Sequence, residues 1–234
     1  MSKIIVFYCV LQAATYYVKA QECSAYVPFV KGFTSETQHY RKNGKPNGKT
    51  ILTVVDVQST ANGKIATIET KGVSLKGEVI EPGVRYIVTC SDGVTKIDTR
   101  AAISGPPMAD TQDEQGSCFT ELPANIEVGH TFEDCVFSSR NKGAYFETQI
   151  LNRKVTGKET VTVAAGTFEA FVVEYDMSTV MRHGLTVVFT KHHRDWYAPG
   201  KGLVKTESFQ PDRKQARYKP GDSPFFYSEL ISFK

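Results

Sequence analysis

Beyond its first twenty residues the chain has no apolar run approaching the roughly 18–20 residues that cross a bilayer as a helix. That absence predicts a mature chain without a transmembrane segment. No Gly-x-Ser-x-Gly elbow is present, which argues against a hydrolase built around an exposed, strained serine. No Cys-x-x-Cys pair occurs, and the spacings of 67, 28 and 17 between Cys23, Cys90, Cys118 and Cys135 match no zinc-ligand rule. Gly200-Lys201-Gly202 is not a phosphate cradle, because no helix follows it. The carboxylate pairs Asp113-Glu114 and Glu133-Asp134 are chain neighbours, which is no glycosidase arrangement. Charge of one sign is lacking too: the full chain carries +3. Without residues 1–20, and so without Lys3 and Lys19, about +1 remains. Such a balance gives no reason to expect nucleic-acid binding or tight adhesion to an anionic membrane. Nor is there an amphipathic helix of three turns, or an internal repeat.

What is present begins with an export signal. Lys3 is a short positive region, Ile4 to Val18 is almost uncharged and mostly apolar, and Val18-Lys19-Ala20 puts small residues where a signal peptidase reads. Residues 1–20 are therefore read as a signal peptide, with Gln21 as the new N-terminus. Ala20-Gln21-Glu22 before Cys23 does not make a lipobox. The destination is periplasmic or extracellular, and an oxidising compartment favours disulfides. Four cysteines allow three pairings. Cys118–Cys135 is favoured because the two flank one loop-rich stretch; Cys23 then joins Cys90.

The remaining 214 residues, with hydrophobic residues at 41% and charged ones at 23% of the chain, suit one globular domain spanning 21–234. They read as short β-runs between turn signals. Thr50 to Gln58 is β-branched, Ala61-Asn62-Gly63 and Ser91-Asp92-Gly93 are hairpin turns, and Ala198 to Gly202 is a tight connection. In the second half Ala144 to Val155, Lys158 to Val163, Thr167 to Tyr175, Leu185 to His192 and Leu203 to Phe209 follow one another. Thr156-Gly157 reads as a turn between the first two. Ten or more strands without intervening helices exclude a parallel sheet. The fold class is all-β, mainly antiparallel: a curved half-barrel or barrel-like sheet. Thr99 to Asp134 supplies a long loop or short helix covering one face.

Candidate chemistry is sparse. His183, His192, His193 and Asp195 are the best metal-ligand set, but His192 and His193 are neighbours on a strand and face opposite ways. The reading is therefore no catalytic residue, no metal and no cofactor, with a metal-dependent enzyme using the His183/His192 region as the remoter alternative. Aromatics are the other signal. Trp196, Tyr197, Phe225 and Tyr227 are candidates to line an apolar groove on a concave sheet face. Its occupant would be an apolar small molecule or lipid. The competing reading is a packed core with an envelope protein as surface partner.

Val161 to Phe171 (VTVAAGTFEAF) and Asp195 to Glu207 (DWYAPGKGLVKTE), in that order, resemble the TapB-like exported proteins of gram-negative bacteria. Cys23 to Phe29 and the Asn43 to Lys49 turn are similar as well. The resemblance covers most of the mature chain. It implies an architecture like that of curved β-sheet lipoprotein carriers, an unknown function and no catalytic residues to carry over.

Overall fold

In a computed structural model of the chain, residues 26–99, 112–141, 143–210 and 222–234 are described, apart from the side chains of residues 81, 82, 112–114 and 141. Residues 1–20, read from sequence as a signal peptide, and Cys23 lie outside them. No helix among the described residues is long and apolar enough to cross a membrane.

Thirteen strands form: β1 (Thr34–Arg41), β2 (Pro46–Thr60), β3 (Gly63–Val73), β4 (Val79–Ser91), β5 (Val94–Asp98), β6 (Gln112–Gly116), β7 (Phe119–Pro123), β8 (Cys135–Asn141), β9 (Ala144–Val163), β10 (Gly166–His183), β11 (Leu185–Ala198), β12 (Gly202–Phe209) and β13 (Phe226–Phe233). All belong to one antiparallel sheet, in the order β6-β8-β9-β10-β11-β12-β13-β1-β2-β3-β4-β5-β7. Turn chemistry sets the hairpins. Asp92 and Gly93 take φ of 51° and 76° between β4 and β5, the double positive φ of a turn that matches strand twist. At Ala198 to Gly202, Gly200 and Gly202 have φ of 72° and 85°, and the Lys201 N–H donates to the Ala198 carbonyl at 3.1 Å.

Two expectations are corrected. Thr156-Gly157 is not a turn: β9 runs through it as one strand of 20 residues. Gly157 pairs with Val172, and the register against β10 shifts just beyond. Because the partner strand is the same on both sides, the glycine makes a bulge and not a reversal. The stretch after Thr99 is not only a cover either, since it contributes β6 and β7.

Those two strands dictate the curvature. They are the two edges of the sheet, yet only Ser117 and Cys118 separate them in the chain. Laid flat, thirteen strands would be about 58 Å wide at ~4.8 Å per step. The link between Gly116 and Phe119 reaches at most about 11 Å. The sheet therefore curls until its edges nearly meet. The seam is held by the Cys118–Cys135 disulfide, with Cα atoms 5.2 Å apart, and by Arg153 of β9. That guanidinium donates to Thr120 Oγ1 (2.7 Å) and to the carbonyls of Phe119 (2.9 Å) and Glu133 (2.9 Å). Below β8 the chain stays along β9: Phe132 N–H donates to Arg153 O and Val155 N–H to His130 O.

Inside the curl the residues before β1 cross the concave face. Tyr26 packs with Ile150, Val173 and Tyr175, and Phe29 with Val54, Ile68 and Val88. This N-terminal segment shares the covering of that face with the Thr99 to Asp134 stretch, whose Leu122 and Ile126 pack in the same cluster as Tyr26. Cys90, buried beside Phe29, is itself disulfide-bonded. The tip of the β9–β10 hairpin folds over to β13, where Ala165 N–H donates to Leu230 O at 3.2 Å.

Gly200→Ala should cost about 1–2 kcal/mol of stability from its left-handed backbone alone. Gly202→Ala should cost more, because its new Cβ would lie 2.8 Å from the Tyr26 carbonyl oxygen while Gly200 has open space. Urea unfolding of the two variants gives the ranking. Arg153→Met should lose about 2–4 kcal/mol by stranding buried acceptors at the seam, and Arg153→Lys should not restore it, having no planar fork.

Candidate functional site

The concave face encloses a cavity of about 530 Å³, within the size range of small-molecule sites. Its polar end is built by β9, β10, β11 and β12. On β11 strict alternation sends Lys191, His193, Asp195 and Tyr197 inward, and all four line the cavity. His192, Arg194 and Trp196 go to the other face. Arg153 reaches the inside by a different route. Ile150 and Arg153 both line the cavity although they are three residues apart, a spacing that plain alternation forbids. The cause is a bulge: Asn152 has φ of 59°, and β9 holds an extra residue there against β10.

Asp195 is buried, with each oxygen accepting one hydroxyl proton: Tyr175 at 3.1 Å and Thr206 at 2.8 Å. Burial raises its pKa to about 6, against the pull of those two hydrogen bonds and of Arg153. His193 lies flat on Tyr175, with ring centroids 4.9 Å apart and planes at 3°. Its Nδ1 is 3.0 Å from Ser208 Oγ, and its buried Nε2 has no hydrogen-bond partner. Burial, and after it Lys191 and His192, lower its pKa to about 4. Burial also lowers Arg153 and raises Tyr175 and Tyr197, and it lifts Tyr86 to about 12.

The residues singled out from sequence are dispersed. Of the four candidate groove aromatics, Tyr197 lines the cavity. Trp196 does not: it is buried with Val172 and Ala198, its indole N–H donates to Glu159 at 3.0 Å, and Arg194 and Lys205 flank its ring at 4.8 and 4.9 Å. Phe225 is half exposed, while the next residue, Phe226, lines the cavity. Tyr227 stacks on Tyr40 at 4.6 Å, away from the cavity lining. Strand alternation explains each displacement by one residue. His183 ends β10 in solvent, and His192 sits 3.0 Å from Asp176 on the outer face. No group of three or more His, Cys, Asp or Glu side chains among the described residues is placed to hold a metal. Arg153, Tyr175, Ser208 and His39 were not legible as site residues. His193 and Asp195 were legible as a pair, since the rule separating His192 from His193 puts 193 and 195 on one face.

With Ser208 beside His193 and Asp195 two residues on, a catalytic triad has to be considered. The geometry is wrong for one. The carboxylate is engaged by Tyr175 and Thr206, the second imidazole nitrogen has no carboxylate, and a base with pKa near 4 is poorly matched to neutral pH.

Comparison with known proteins supplies a family and a fold. The family model described as DUF3108-like matches residues 30–219, and the chain belongs to that family. No curated protein matches it. Among solved structures, it resembles one from Parabacteroides distasonis that carries a lipoprotein name, at 20% identity and a TM-score of 0.74, covering 92% of this chain and 100% of that one. It also resembles a Bacteroides fragilis protein named as exported with a YmcC-like fold, at 20% identity and a TM-score of 0.71, covering 91% and 100%. At that identity the likeness shows the fold.

The two buried titrating groups act in opposite directions. Between about pH 4 and 6 folded Asp195 keeps a proton that the unfolded chain has lost, so its contribution to stability falls as pH rises. Unfolded His193 binds a proton up to about pH 6.5 that the folded ring refuses above about pH 4, so its contribution rises with pH. Relative to wild type, Asp195→Asn should gain roughly 3 kcal/mol as pH goes from about 4 to 6.5. His193→Gln should lose a similar amount over the same window. Urea titrations at stepped pH measure both slopes.

Proposed function

We propose that this member of the DUF3108-like family is an exported, non-enzymatic binding protein that holds an apolar or amphipathic small molecule inside its curved sheet. The supporting observation is the cavity of about 530 Å³, whose polar groups are densest on β9 to β13 and β1 and whose β2 to β4 side adds the apolar Leu52, Ile68, Val84 and Val88 beside Thr50, Thr70 and Lys71. The absence of a competent triad in the Ser208–His193–Asp195 set favours binding over catalysis. The signal-like residues 1–20 support export to the periplasm or beyond, as do the disulfides of Cys118–Cys135 and of Cys90, for which Cys23 is the partner we propose. TapB-like is the finer family name that the sequence motifs favour.

A second reading, docking to an envelope protein, is favoured by the exposed Leu185, Val188 and Phe189 at the tip of the β10–β11 hairpin. Occupancy of the cavity separates the two.

Mature protein purified from a gram-negative envelope should retain an apolar ligand in native mass spectrometry, and after delipidation it should bind phenylnaphthylamine saturably. Leu52→Trp, which fills the cavity from β2, should bind the probe at least about tenfold more weakly while the fold persists by circular dichroism. No saturable binding by the wild-type protein would transfer the proposal to the hairpin surface.

A further inference from the structure

The inner face is polar along one band. Ladder register carries Asp195 of β11 to Thr206 of β12, Ser228 of β13 and His39 of β1. His193 and Ser208 make a second row beside it. All six line the cavity. The wall continuing through β2, β3 and β4 presents a run of Leu52, Ile68, Val84 and Val88, with Thr50, Thr70, Lys71 and Tyr86 beside it.

Most of the polar band is already engaged. Both Asp195 oxygens accept hydroxyl protons, and both terminal nitrogens of Arg153 are committed to the seam. Two imidazole nitrogens of the band are not, His39 Nδ1 and His193 Nε2. His193 is the more deeply buried, at 8% exposure; it lines the cavity, its ring is fixed by Ser208 and by Tyr175, and its Nε2 has no protein partner. Buried polar atoms of this kind are nearly always satisfied by something, and a ligand in the cavity is the available source. The charge around it selects the ligand. On the same strand face Asp195 and Lys191 flank it, each two residues and about 7 Å away, so opposite charges offset and a neutral hydroxyl needs no counter-ion. An ionised carboxylate would upset that balance. At Arg153 three of the five N–H groups are spent on the seam, and the two that remain, the Nε–H and one on Nη1, sit on different edges of the guanidinium and do not form the fork a carboxylate takes. Among the lining lysines, Lys191 is half-buried and Lys201 is placed 3.6 Å over the Phe233 ring.

We propose that this polar band is a head-group site for an uncharged, hydroxyl-bearing amphiphile of the monoacylglycerol class. A ligand hydroxyl pairs with His193 Nε2, and the acyl chain lies along Leu52, Ile68, Val84 and Val88. The proposal rests on the reading of the cavity as a ligand site, and goes further by excluding free fatty acids. Neutral imidazole, the state that burial enforces on His193, serves a hydroxyl as either donor or acceptor.

The test displaces phenylnaphthylamine from the delipidated mature protein with monooleoylglycerol or with oleate, at about pH 8 where oleate is ionised. Monooleoylglycerol should displace the probe at roughly tenfold lower concentration than oleate. His193→Phe should keep probe binding and shrink that ratio to about twofold, and His193→Gln should restore much of it. Equal or better displacement by oleate, or an unchanged ratio in His193→Phe, overturns the head-group site. Failure of the probe to bind at all overturns the cavity reading instead. If His193→Phe does not fold, Ser208→Ala, which releases the ring, should lower the ratio, and an unchanged ratio again overturns the proposal.

Discussion

Arg153 ties one free edge of the sheet to the strands beside the other, reaching from β9 to β7 and to the residues just before β8. A sheet of thirteen strands leaves unpaired donors and acceptors along its first and last members, and here those members are β6 and β7, two residues apart. Closing the ladder into a barrel is one remedy. This chain uses another: a planar cation with several donors, placed on β9 by a bulge, takes up a hydroxyl and two carbonyls at the seam. The disulfide fixes the same junction covalently. The interior volume exists because the sheet is drawn round in this way.

A curled sheet with a small core cannot exclude every polar side chain from its concave face. The polar residues that point inward are made tolerable by one another: Tyr175 and Thr206 satisfy Asp195, Ser208 satisfies one side of His193, and Thr99 shares a hydrogen bond with Thr120 at 2.8 Å. What is left over on this face is a nitrogen on each of His39, Arg153 and His193 and a volume of small-molecule size.

Fold class was legible because β-branched runs, tight turns and the lack of helical periodicity all pointed the same way. The hairpin at Ala198 to Gly202 followed from Pro199 and the two glycines. The candidate site was much less legible. Asn152-Arg153-Lys154 reads as a solvated polar stretch, and only the extra residue at the bulge turns Arg153 inward. Tyr175 and Ser208 look like ordinary strand residues until distant strands are paired. The aromatic clusters misled by one position, as Trp196 and Phe225 show: composition locates a strand, but its phase decides which side chain meets the cavity. The cover of the inner face was legible in part: Leu122 and Ile126 of the Thr99 to Asp134 stretch belong to it, while Tyr26 and Phe29 lie in a short segment with no pattern of its own.

The pairing of β13 with β1 has a consequence in time. Thr34 and Lys234 exchange two backbone hydrogen bonds, at 2.9 and 3.0 Å, so the first strand to be synthesised is completed by the last. As the chain emerges, N-terminus first, β1 to β5 can assemble as successive hairpins, while the far side of β1 stays open until β13 arrives. A long-range pairing of this kind is slow to form, and an open edge in the interval invites pairing with a stranger. The stage of this protein's life most dependent on helpers is therefore the moment of emergence, before its final strand is free.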